Sequence, residues 1–355
     1  IAIPNAYGLS MEQILTATGT NKPIRLGFVP LTDCAPIAIA KETGIFERHG
    51  IKVELSRELG WATVRDKIFY GDLDASQAIS GIAIALGLGL TGLKCEVSVP
   101  LVLSLHGNAI TLSNEIPHEK IGRGEGLRSF LTHSWKKDRP LTLAATHRCS
   151  SHHILLHSWL KRHGIEPADD TEIIFLPPPL MPRQLKAGHI DGYCVGEPWN
   201  SESILSGTGW SPMTSTDLSH GHPEKVLLIS GNFIRERHDE SLALVAALLE
   251  ACALCQDPYF RPELISILAR KEYTGASKNV LENSLGNTFD TGIGSSSTSS
   301  FHLFHGESIN RPSVDKASWV LAGLRNTGIF PDAACGSLSR IFREDIYRAA
   351  THCAA

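Results

Sequence analysis

The sequence predicts an α/β protein of two lobes, joined by two crossovers, with a ligand cleft between the lobes. Three observations support this prediction. Strand-like apolar segments alternate with helix-like segments from residue 24 to residue 105, which is typical of a parallel sheet. The same order of elements recurs between residues 141 and 196. Two glycine-containing stretches, 106–112 and 194–200, have the character of strands that pass from one lobe to the other.

Length and composition set the limits of the interpretation. The 355 residues are enough for two domains, and 42% hydrophobic and 20% charged residues are typical of a globular chain with a real core. A formal net charge of −4 gives no electrostatic case for nucleic-acid binding. No run of about 18 uncharged apolar residues is present, so no membrane span is predicted.

The first half of the chain contains four predicted strands, each justified by β-favouring apolar residues, and three helices with apolar residues three or four positions apart. Thr32 or Asp33 can cap the first helix, and Pro36 fits its first turn. In order, the predicted elements are strand 24–29, helix 35–43, strand 51–55, helix 61–69, a short strand after residue 75, helix 79–88 and strand 97–105.

The second half repeats this series, and the repeat is marked by short matching sequences. The run His163-Gly164-Ile165 follows a helix just as His49-Gly50-Ile51 does, and Gly188-His189-Ile190-Asp191-Gly192 corresponds to Gly71-Asp72-Leu73-Asp74-Ala75. Later segments predict strands at 210–214 and 226–230 and helices at 240–256, 262–271, 276–285, 313–326 and 338–350. The predicted domains are an N-terminal extension (1–22), a discontinuous first lobe (23–107 and 199–355) and a second lobe (108–198).

Loops between strands and helix starts are the best candidates for a binding site, because free N–H groups at a helix N-terminus attract anions. Residues 30–33 and 146–151 are two such loops. Each candidate also has an ordinary structural interpretation: Ser150 as a helix cap, Trp61 as core packing, His106 as a structural hydrogen-bonding group, and the loop 220–225 as a solvated turn. The residues alone leave these alternatives open.

Several runs together resemble the nitrate/bicarbonate-binding proteins of ABC importers, over residues 24–350. The runs that carry the resemblance are Leu26-Gly27-Phe28-Val29-Pro30-Leu31-Thr32-Asp33-Cys34-Ala35-Pro36, residues 54–67, His106-Gly107-Asn108-Ala109-Ile110-Thr111-Leu112, Gly196-Glu197-Pro198-Trp199-Asn200 and Gly221-His222-Pro223-Glu224-Lys225-Val226. The resemblance implies a type II periplasmic-binding-protein fold, a small planar oxyanion between the lobes, an ABC permease and ATPase as partners, a periplasmic location and no catalysis.

The resemblance also implies a set of site residues. Trp61 matches a ligand-facing tryptophan and Gly196 a backbone amide contact. At three positions this sequence departs from the nitrate pattern: His106 occupies the position of a glutamine, Cys149 that of a histidine and His220 that of a lysine. These departures leave nitrate, nitrite and bicarbonate open as ligands. The predicted ligand-binding residues are Trp61, His106, Gly107, Asn108, His147, Cys149, Ser150, Gly196, Glu197 and His220. No cofactor and no metal are predicted.

Two other functions are compatible with the same fold. One is a cytoplasmic nitrate-responsive sensor that controls a regulator protein. The other is an enzyme similar to thiamine-pyrimidine synthase, with Cys149 as its reactive group. The compartment depends on residues 1–8, which fit either the tail of a removed export signal or an arbitrary start of the sequence.

Three short motifs carry little weight. Residues 87–92 match G-x-G-x-x-G but follow a helix rather than a strand, so a dinucleotide site is not predicted. Cys252 and Cys255 form a CxxC inside an apolar helix, which favours a buried structural role. His153 and His157 have the i, i+4 spacing of metal ligands, but the sequence shows no third ligand near them.

Overall fold

The computed structural model of the chain describes residues 22–122, 126–133, 135, 139–297, 300–330 and 337–353. The predicted N-terminal extension, apart from Lys22, lies outside these residues. The strands are β1 Ile24–Phe28, β2 Val53–Arg57, β3 Ala75–Ile79, β4 Val97–His106, β5 Asn108–Ser113, β6 Leu141–Ala145, β7 Thr171–Phe175, β8 Gly192–Gly196, β9 Gly209–Thr214, β10 Pro223–Ser230, β11 Thr288–Asp290, β12 Ser295–Ser297 and β13 His302–Leu303.

Helices connect these strands and cover the sheets. The α-helices are Ala35–Glu42, Ile45–Arg48, Trp61–Tyr70, Ser80–Leu88, His118–Gly122, Gly126–His133, Ser151–Arg162, Pro167–Asp170, Met181–Lys186, Trp199–Leu205, Ser215–Leu218, Gly231–Glu236, His238–Gln256, Arg261–Leu268, Lys278–Leu285, Glu307–Asn310, Val314–Asn326 and Glu344–Cys353. Short 3-10 turns lie at Thr32–Cys34, Pro178–Leu180 and Leu338–Arg340. Within the described residues, no single helix is both long and apolar enough to cross a membrane.

The two lobes are built on two sheets with the same internal plan. The first-lobe sheet has the order β13-β4-β10-β3-β1-β2, and the second-lobe sheet has the order β7-β6-β8-β5-β9. In each, a central strand (β1 or β6) pairs in parallel with two neighbours, and the next strand (β10 or β5) is antiparallel. The duplication predicted from the sequence is therefore present, and the two-lobed α/β fold is confirmed.

The two crossovers exchange strands between the lobes. β4 ends the first-lobe series at His106, and after Gly107 the chain continues as β5 in the middle of the second-lobe sheet. In the same way β9 ends the second-lobe series, and residues 215–222 lead to β10 in the first-lobe sheet. Each sheet thus contains one antiparallel strand that arrives from the other lobe.

The position of the second crossover corrects the predicted domain boundary. The prediction placed it at 194–200, with residue 199 as the start of the returning segment. In the structure β9 pairs with β5, so helix Trp199–Leu205 and β9 still belong to the second lobe. Gly196 and Pro198 end a strand, as predicted, but the chain then makes one more helix and strand before it crosses.

The crossovers are bonded to each other at His106. This residue has a φ of 61° and Gly107 a φ of 82°, which turns the chain sharply between β4 and β5. The backbone N–H of Gly221 donates to Nε2 of His106 over 2.6 Å. Nδ1 of His106 therefore carries the proton in the neutral ring and bonds the carbonyl of Ser300 at 2.7 Å. His106 ties the two connections together, as a structural hydrogen-bonding group.

The apolar cores lie between each sheet and its helices and continue from one lobe into the other. In the first lobe, β1 and β10 pack against helices Ala35–Glu42 and His238–Gln256, where Cys252 and Cys255 are fully buried. In the second lobe, Trp159 is fully buried in a separate cluster. A third cluster contains residues of both lobes, including Trp61 and Val195, so the lobes are in contact.

The first crossover should be intolerant of a side chain at Gly107. A Cβ there would lie 2.3 Å from the ring of His302, which is buried and stacked on Phe304. Gly107→Ala should lower the free energy of unfolding by about 2–4 kcal/mol, from left-handed backbone strain plus overpacking. Urea denaturation followed by circular dichroism measures this.

Gly207→Ala is the matched control. Gly207 also has a positive φ, but a Cβ there would meet nothing within 4 Å. Gly207→Ala should lower the free energy of unfolding by about 1 kcal/mol, from left-handed backbone strain alone. Equal losses in the two variants would contradict the packing of His302 against the crossover.

Candidate functional site

The interlobe cleft contains a fully buried lysine. Nζ of Lys225 lies 2.8 Å from Oδ2 of Asp33 and 2.5 Å from Oε1 of Glu224, and all three side chains are inaccessible to solvent. Asp33 also accepts a hydrogen bond from Nε2 of Gln77 at 2.5 Å. Removing a charge from water costs several kcal/mol per ion. Lys225 can therefore be buried in its charged form only because both carboxylates lie next to its ammonium group.

The chain delivers these groups from different elements. Asp33 lies in the 3-10 turn Thr32–Cys34, which is separated from the end of β1 by three residues, and Gln77 lies in β3. Glu224 and Lys225 are the second and third residues of β10, the strand that arrives through the second crossover. Adjacent residues of a strand point to opposite faces, and here the long side chains of both curve to the same cluster.

The electrostatic effects differ among the three groups. Burial raises the pKa of Asp33 to about 6, although Lys225 acts in the opposite direction. Burial would also raise the pKa of Glu224, but Lys225 and His152 lower it well below its ordinary range. Burial alone would lower the pKa of Lys225, and the carboxylates of Asp33 and Glu224 raise it instead. Lys225 and Glu224 are therefore ionised at neutral pH.

Trp61 forms one wall of the cluster. Nζ of Lys225 lies 5.2 Å from the centroid of the indole, a cation–π distance. Trp61 opens the helix Trp61–Tyr70 and is only 1% exposed. Its Nε1 is buried and donates to none of the residues that the structure describes. The indole therefore combines core packing with an unused hydrogen-bond donor.

The second lobe contributes Asn108 and His152. Nδ2 of Asn108 donates to Oε2 of Glu224 over 2.6 Å, which fixes the amide so that Oδ1 points away from Glu224. Oδ1 has no partner among the described residues. His152 bonds Oγ1 of Thr146 through Nδ1 at 2.9 Å, and its Nε2 lies 3.3 Å from Oε1 of Glu224 without hydrogen-bonding geometry. A carboxylate from one lobe is thus held by polar groups of the other.

Gly196 permits a close approach at the same place. A Cβ on this residue would lie 3.2 Å from Oδ1 of Asn108 and 3.5 Å from Oδ2 of Asp33. The end of β8 therefore faces the cluster directly. The absence of a side chain lets the backbone of Gly196 lie this close to Asn108 and Asp33.

The lobes are closed over this cluster. The backbone N–H of Thr32 donates to the carbonyl of Glu197 over 2.8 Å, and Nε1 of Trp199 donates to the carbonyl of Pro30 over 3.1 Å. Opposite them, the carbonyl of Cys149 lies so near Gly81 that a Cβ on the glycine would be 1.8 Å from the oxygen. These contacts, three backbone groups of the first lobe against two backbone groups and one indole of the second, hold the lobes closed.

The structure brings together some of the predicted site residues. Trp61 lies against Lys225, Asn108 bonds Glu224, and Gly196 lies beside Asn108. Gly107 and His106 lie at the first crossover. The carbonyl of Glu197 forms an interlobe bond, while its buried carboxylate accepts from Ser201 over 2.6 Å.

Other predicted residues have local roles. Ser150 caps the helix Ser151–Arg162 by accepting from the N–H of His153. Nδ1 of His147 accepts from the backbone of Cys149 at 3.1 Å. Burial raises the pKa of the Cys149 thiol to about 12. His220 is exposed, with its ring 5.4 Å from that of His106.

The sequence interpretation omitted Asp33, His152, Glu224 and Lys225 from the site. Asp33 lies in the loop 30–33, which was a candidate loop but contributed no predicted residue. His152 follows Ser150 by two residues, and Glu224 and Lys225 follow His220 by four and five residues. The available signal was Glu224-Lys225 at the start of the apolar run 226–229, since a charged pair there is fully buried only when each charge has a partner. Among the described residues, no group of three or more His, Cys, Asp or Glu side chains is arranged to hold a metal ion.

The buried histidines should make the fold sensitive to acid. Burial lowers the pKa of His147, His153 and His222 to about 4, and that of His152 and His302 to about 3. The unfolded chain therefore binds more protons than the folded chain from about pH 6.5 down to these values, and stability falls as the pH falls. Two carboxyls oppose this, because burial raises the pKa of Asp33 to about 6 and that of Glu197 to about 7.

Burial also lowers the pKa of His106, His157 and His163. Because these histidines outnumber the two carboxyls, we expect the urea midpoint to drop between about pH 7 and about pH 5. His152→Gln should make this dependence shallower, whereas His220→Gln, at an exposed position, should leave it unchanged. A midpoint that is constant or rises on acidification would contradict the burial of these rings in the neutral form.

Comparisons with known proteins agree with this architecture. The model of the NMT1-like family matches residues 17–269. The chain is 37% identical over 328 residues to the nitrate import ATP-binding protein NrtC of Synechocystis, covering 91% of this chain and 49% of that protein. It is 29% identical over 343 residues to the nitrate/nitrite binding protein NrtA of Synechococcus elongatus, covering 93% of this chain and 77% of that protein.

A solved structure supports the fold independently. The crystal structure of the periplasmic nitrate-binding protein NrtA of Synechocystis matches with a TM-score of 0.87 at 24% identity, covering 93% of this chain and 88% of that one. This likeness concerns the fold alone. The chain spans about half the length of the ATP-binding relative. On the family match and the shared two-lobed fold, the chain belongs to the NMT1-like family.

Proposed function

We propose that this chain is a substrate-binding module of an ABC import system, and that it captures a small planar oxyanion (nitrate, nitrite or bicarbonate) in the interlobe cleft. The observation that carries the proposal is Lys225, an ionised side chain buried where the two lobes meet. Two of its three N–H donors are directed to Asp33 and Glu224. The third is available to a ligand oxygen, beside the unused N–H of Trp61.

The net charge of Lys225, Asp33 and Glu224 determines how well the cleft accepts an anion. Lys225 is surrounded by two carboxylates, so the three groups carry a net negative charge when Asp33 is ionised. Since the pKa of Asp33 is about 6, this is the carboxyl that takes up a proton most readily. A protonated Asp33 leaves Lys225 paired with Glu224 and free to bind a second anion. Binding should therefore strengthen as the pH falls toward 6.

Asn108 discriminates among the three anions. Its amide is oriented by Glu224, so the atom left unpartnered is an acceptor, Oδ1. Nitrate and nitrite have no hydrogen to donate to it, whereas bicarbonate has a hydroxyl group. An unsatisfied buried acceptor costs about 1–3 kcal/mol. On this atom alone the cleft favours bicarbonate, while the donors of Lys225 and Trp61 suit all three anions.

We propose binding without turnover. The thiol of Cys149, the reactive group of the enzyme alternative, has a pKa raised to about 12 by burial, so it stays protonated at neutral pH. A protonated thiol is a poor nucleophile. The partner is then an ABC permease with its ATPase, by analogy with the nitrate import ATP-binding relative. The location is the periplasm, by analogy with the solved structure that is described as a periplasmic nitrate-binding protein.

A second candidate is an oxyanion-binding domain attached to an ATPase subunit. The observation that favours it is the higher identity to NrtC (37%) than to NrtA (29%), with half of NrtC covered. The P-loop pattern G-x-x-x-x-G-K-[ST] does not occur in this sequence, so the matched half is not the one that cradles ATP phosphates. The mass of the native protein, isolated with an antibody against this chain, separates the candidates: an added ATPase domain supports the second.

Titration calorimetry with nitrate, nitrite and bicarbonate tests the function. We expect the wild-type chain to bind at least one of them, and Lys225→Met to weaken that binding by about 100-fold or more, the loss typical of a buried charged partner. His220→Ala, at an exposed position, is the control and should bind as the wild type does.

Circular dichroism establishes that Lys225→Met is folded. Lys225→Arg, which keeps the charge, should retain measurable binding. Binding that survives Lys225→Met in the folded variant would show that the anion lies elsewhere.

Closure should depend on Gly81. A Cβ there would lie 1.8 Å from the carbonyl of Cys149, so Gly81→Ala must hold the lobes apart. We expect about tenfold or greater loss of anion affinity, and a larger radius of gyration by small-angle scattering at saturating anion. Gly294→Ala, where a Cβ meets nothing within 4 Å, should behave as the wild type. An unchanged affinity in Gly81→Ala would mean that this closed arrangement is not the binding one.

A further inference from the structure

A separate cavity lies beside the second crossover. Its volume is about 530 Å³, within the range of small-molecule sites. Its walls are helix Ser151–Arg162 of the second lobe, helix Val314–Asn326 of the first lobe, and Leu218 and Ser219 of the crossover. The two helices touch next to it, since a Cβ on Gly323 would lie 2.6 Å from Ile154. This second-crossover cavity is therefore built from both lobes and the connection between them.

The inner wall suits a flat apolar group. Ile154, Leu155 and Leu218 are buried there. The indole of Trp319 is fixed in place, because its Nε1 donates to Oγ of Ser219 at 3.0 Å and its ring stacks on His222 at 5.2 Å and 23°. A rigid aromatic side chain binds a planar ligand with little loss of conformational entropy.

The rim suits an anion. Lys161 and Arg162 line the cavity together with His157, and none of the lining residues is acidic. Lys161 pairs with Glu166, whereas no carboxylate among the described residues lies within ion-pairing distance of Arg162. One nitrogen of Arg162, Nη2, donates to the carbonyl of Leu218 at 2.7 Å, which positions the guanidinium. Its other donors can hold a carboxylate, sulfonate or phosphate.

We propose that the second-crossover cavity is a second ligand site, which takes an organic anion with a planar apolar body. The apolar body lies against Trp319 and Leu218, and the anionic group bonds Arg162 and Lys161. This site shares no lining residue with the cluster around Lys225. Its existence does not depend on what the interlobe cleft binds.

The cavity is mechanically connected to the interlobe cleft. Helix Ser151–Arg162 has 12 residues, about 18 Å, with His152 in the cleft at one end and Arg162 in the cavity at the other. His222, which stacks on Trp319, lies 3.7 Å from Glu224. An occupant that bridges both lobes favours one lobe arrangement, so the two sites should affect each other's affinity reciprocally. This coupling rests on the proposed function.

The test uses 1-anilinonaphthalene-8-sulfonate, an aromatic anion with a planar naphthalene ring system, whose fluorescence rises in apolar surroundings. We expect saturable binding, one probe per chain, in the wild type. Ala322→Phe fills the cavity, and Ser318→Phe adds the same side chain at an exposed position of the same helix that does not line the cavity. Ala322→Phe and Arg162→Gln should lower the affinity for the probe by about tenfold or more, and Ser318→Phe should leave that affinity unchanged.

Urea midpoints establish that all variants are folded. Equal affinity in Ala322→Phe and Ser318→Phe, or no saturable binding to the wild type, would overturn the site. The coupling is measured by repeating the probe titration with saturating nitrate or bicarbonate, where a change in probe affinity of about threefold or more is expected. An unchanged affinity, with the anion shown by calorimetry to be bound, would overturn the coupling. If calorimetry detects no oxyanion binding while the probe still binds in the variant-dependent way, the proposed function fails and the cavity stands.

Discussion

The ion pairs of Lys225 with Asp33 and Glu224 are the constraint on which the rest of this structure depends. An ammonium group with no exposed surface is tolerated only where carboxylates and hydrogen bonds replace its water. Those partners come from the turn after β1 and from β10, and Glu224 is held in turn by Asn108 of the other lobe. Closing the lobes is therefore part of solvating the charge, and the two lobes do not act independently.

The exchange of strands places this charge in the cleft. β10 belongs to the first-lobe sheet but is reached from the second lobe, so its first residues lie where the lobes meet. The equivalent strand of the other sheet, β5, begins there with Asn108. The duplicated architecture thus brings the starts of its two exchanged strands together, one supplying Glu224 and Lys225, the other an amide. His106 bonds the two connections just outside this point.

Much of the fold was predictable from the sequence, because it rests on local patterns. Apolar runs separated by amphipathic segments predict strands and helices, and the recurring His-Gly-Ile reveals the duplication. The sheet to which β9 belongs was not predictable in this way. Its residues predict a strand, but such a strand can pair equally well in either lobe. Its place in the second-lobe sheet follows only from its pairing with β5.

The site was only partly predictable, for a related reason. Trp61, Asn108 and Gly196 were found by resemblance. The predicted residues include Cys149 and His220, whereas the cluster contains His152 and Lys225, three and five residues further along the chain. A short motif does not show which of its residues faces the cluster. Residues a few positions apart lie on different faces of a strand or on different turns of a helix. Lys225 follows His222, Pro223 and Glu224, a composition typical of an exposed turn, and it is buried only because of partners distant in sequence.

A crystal structure of the chain grown with nitrate and, in parallel, with bicarbonate tests the central claim most directly. The account predicts a three-oxygen anion bonded to Nζ of Lys225 beside the indole of Trp61, with the carbonyl of Cys149 against Gly81. An anion bound away from Lys225, or a Lys225 that still contacts only Asp33 and Glu224 while the anion is bound elsewhere, would contradict it.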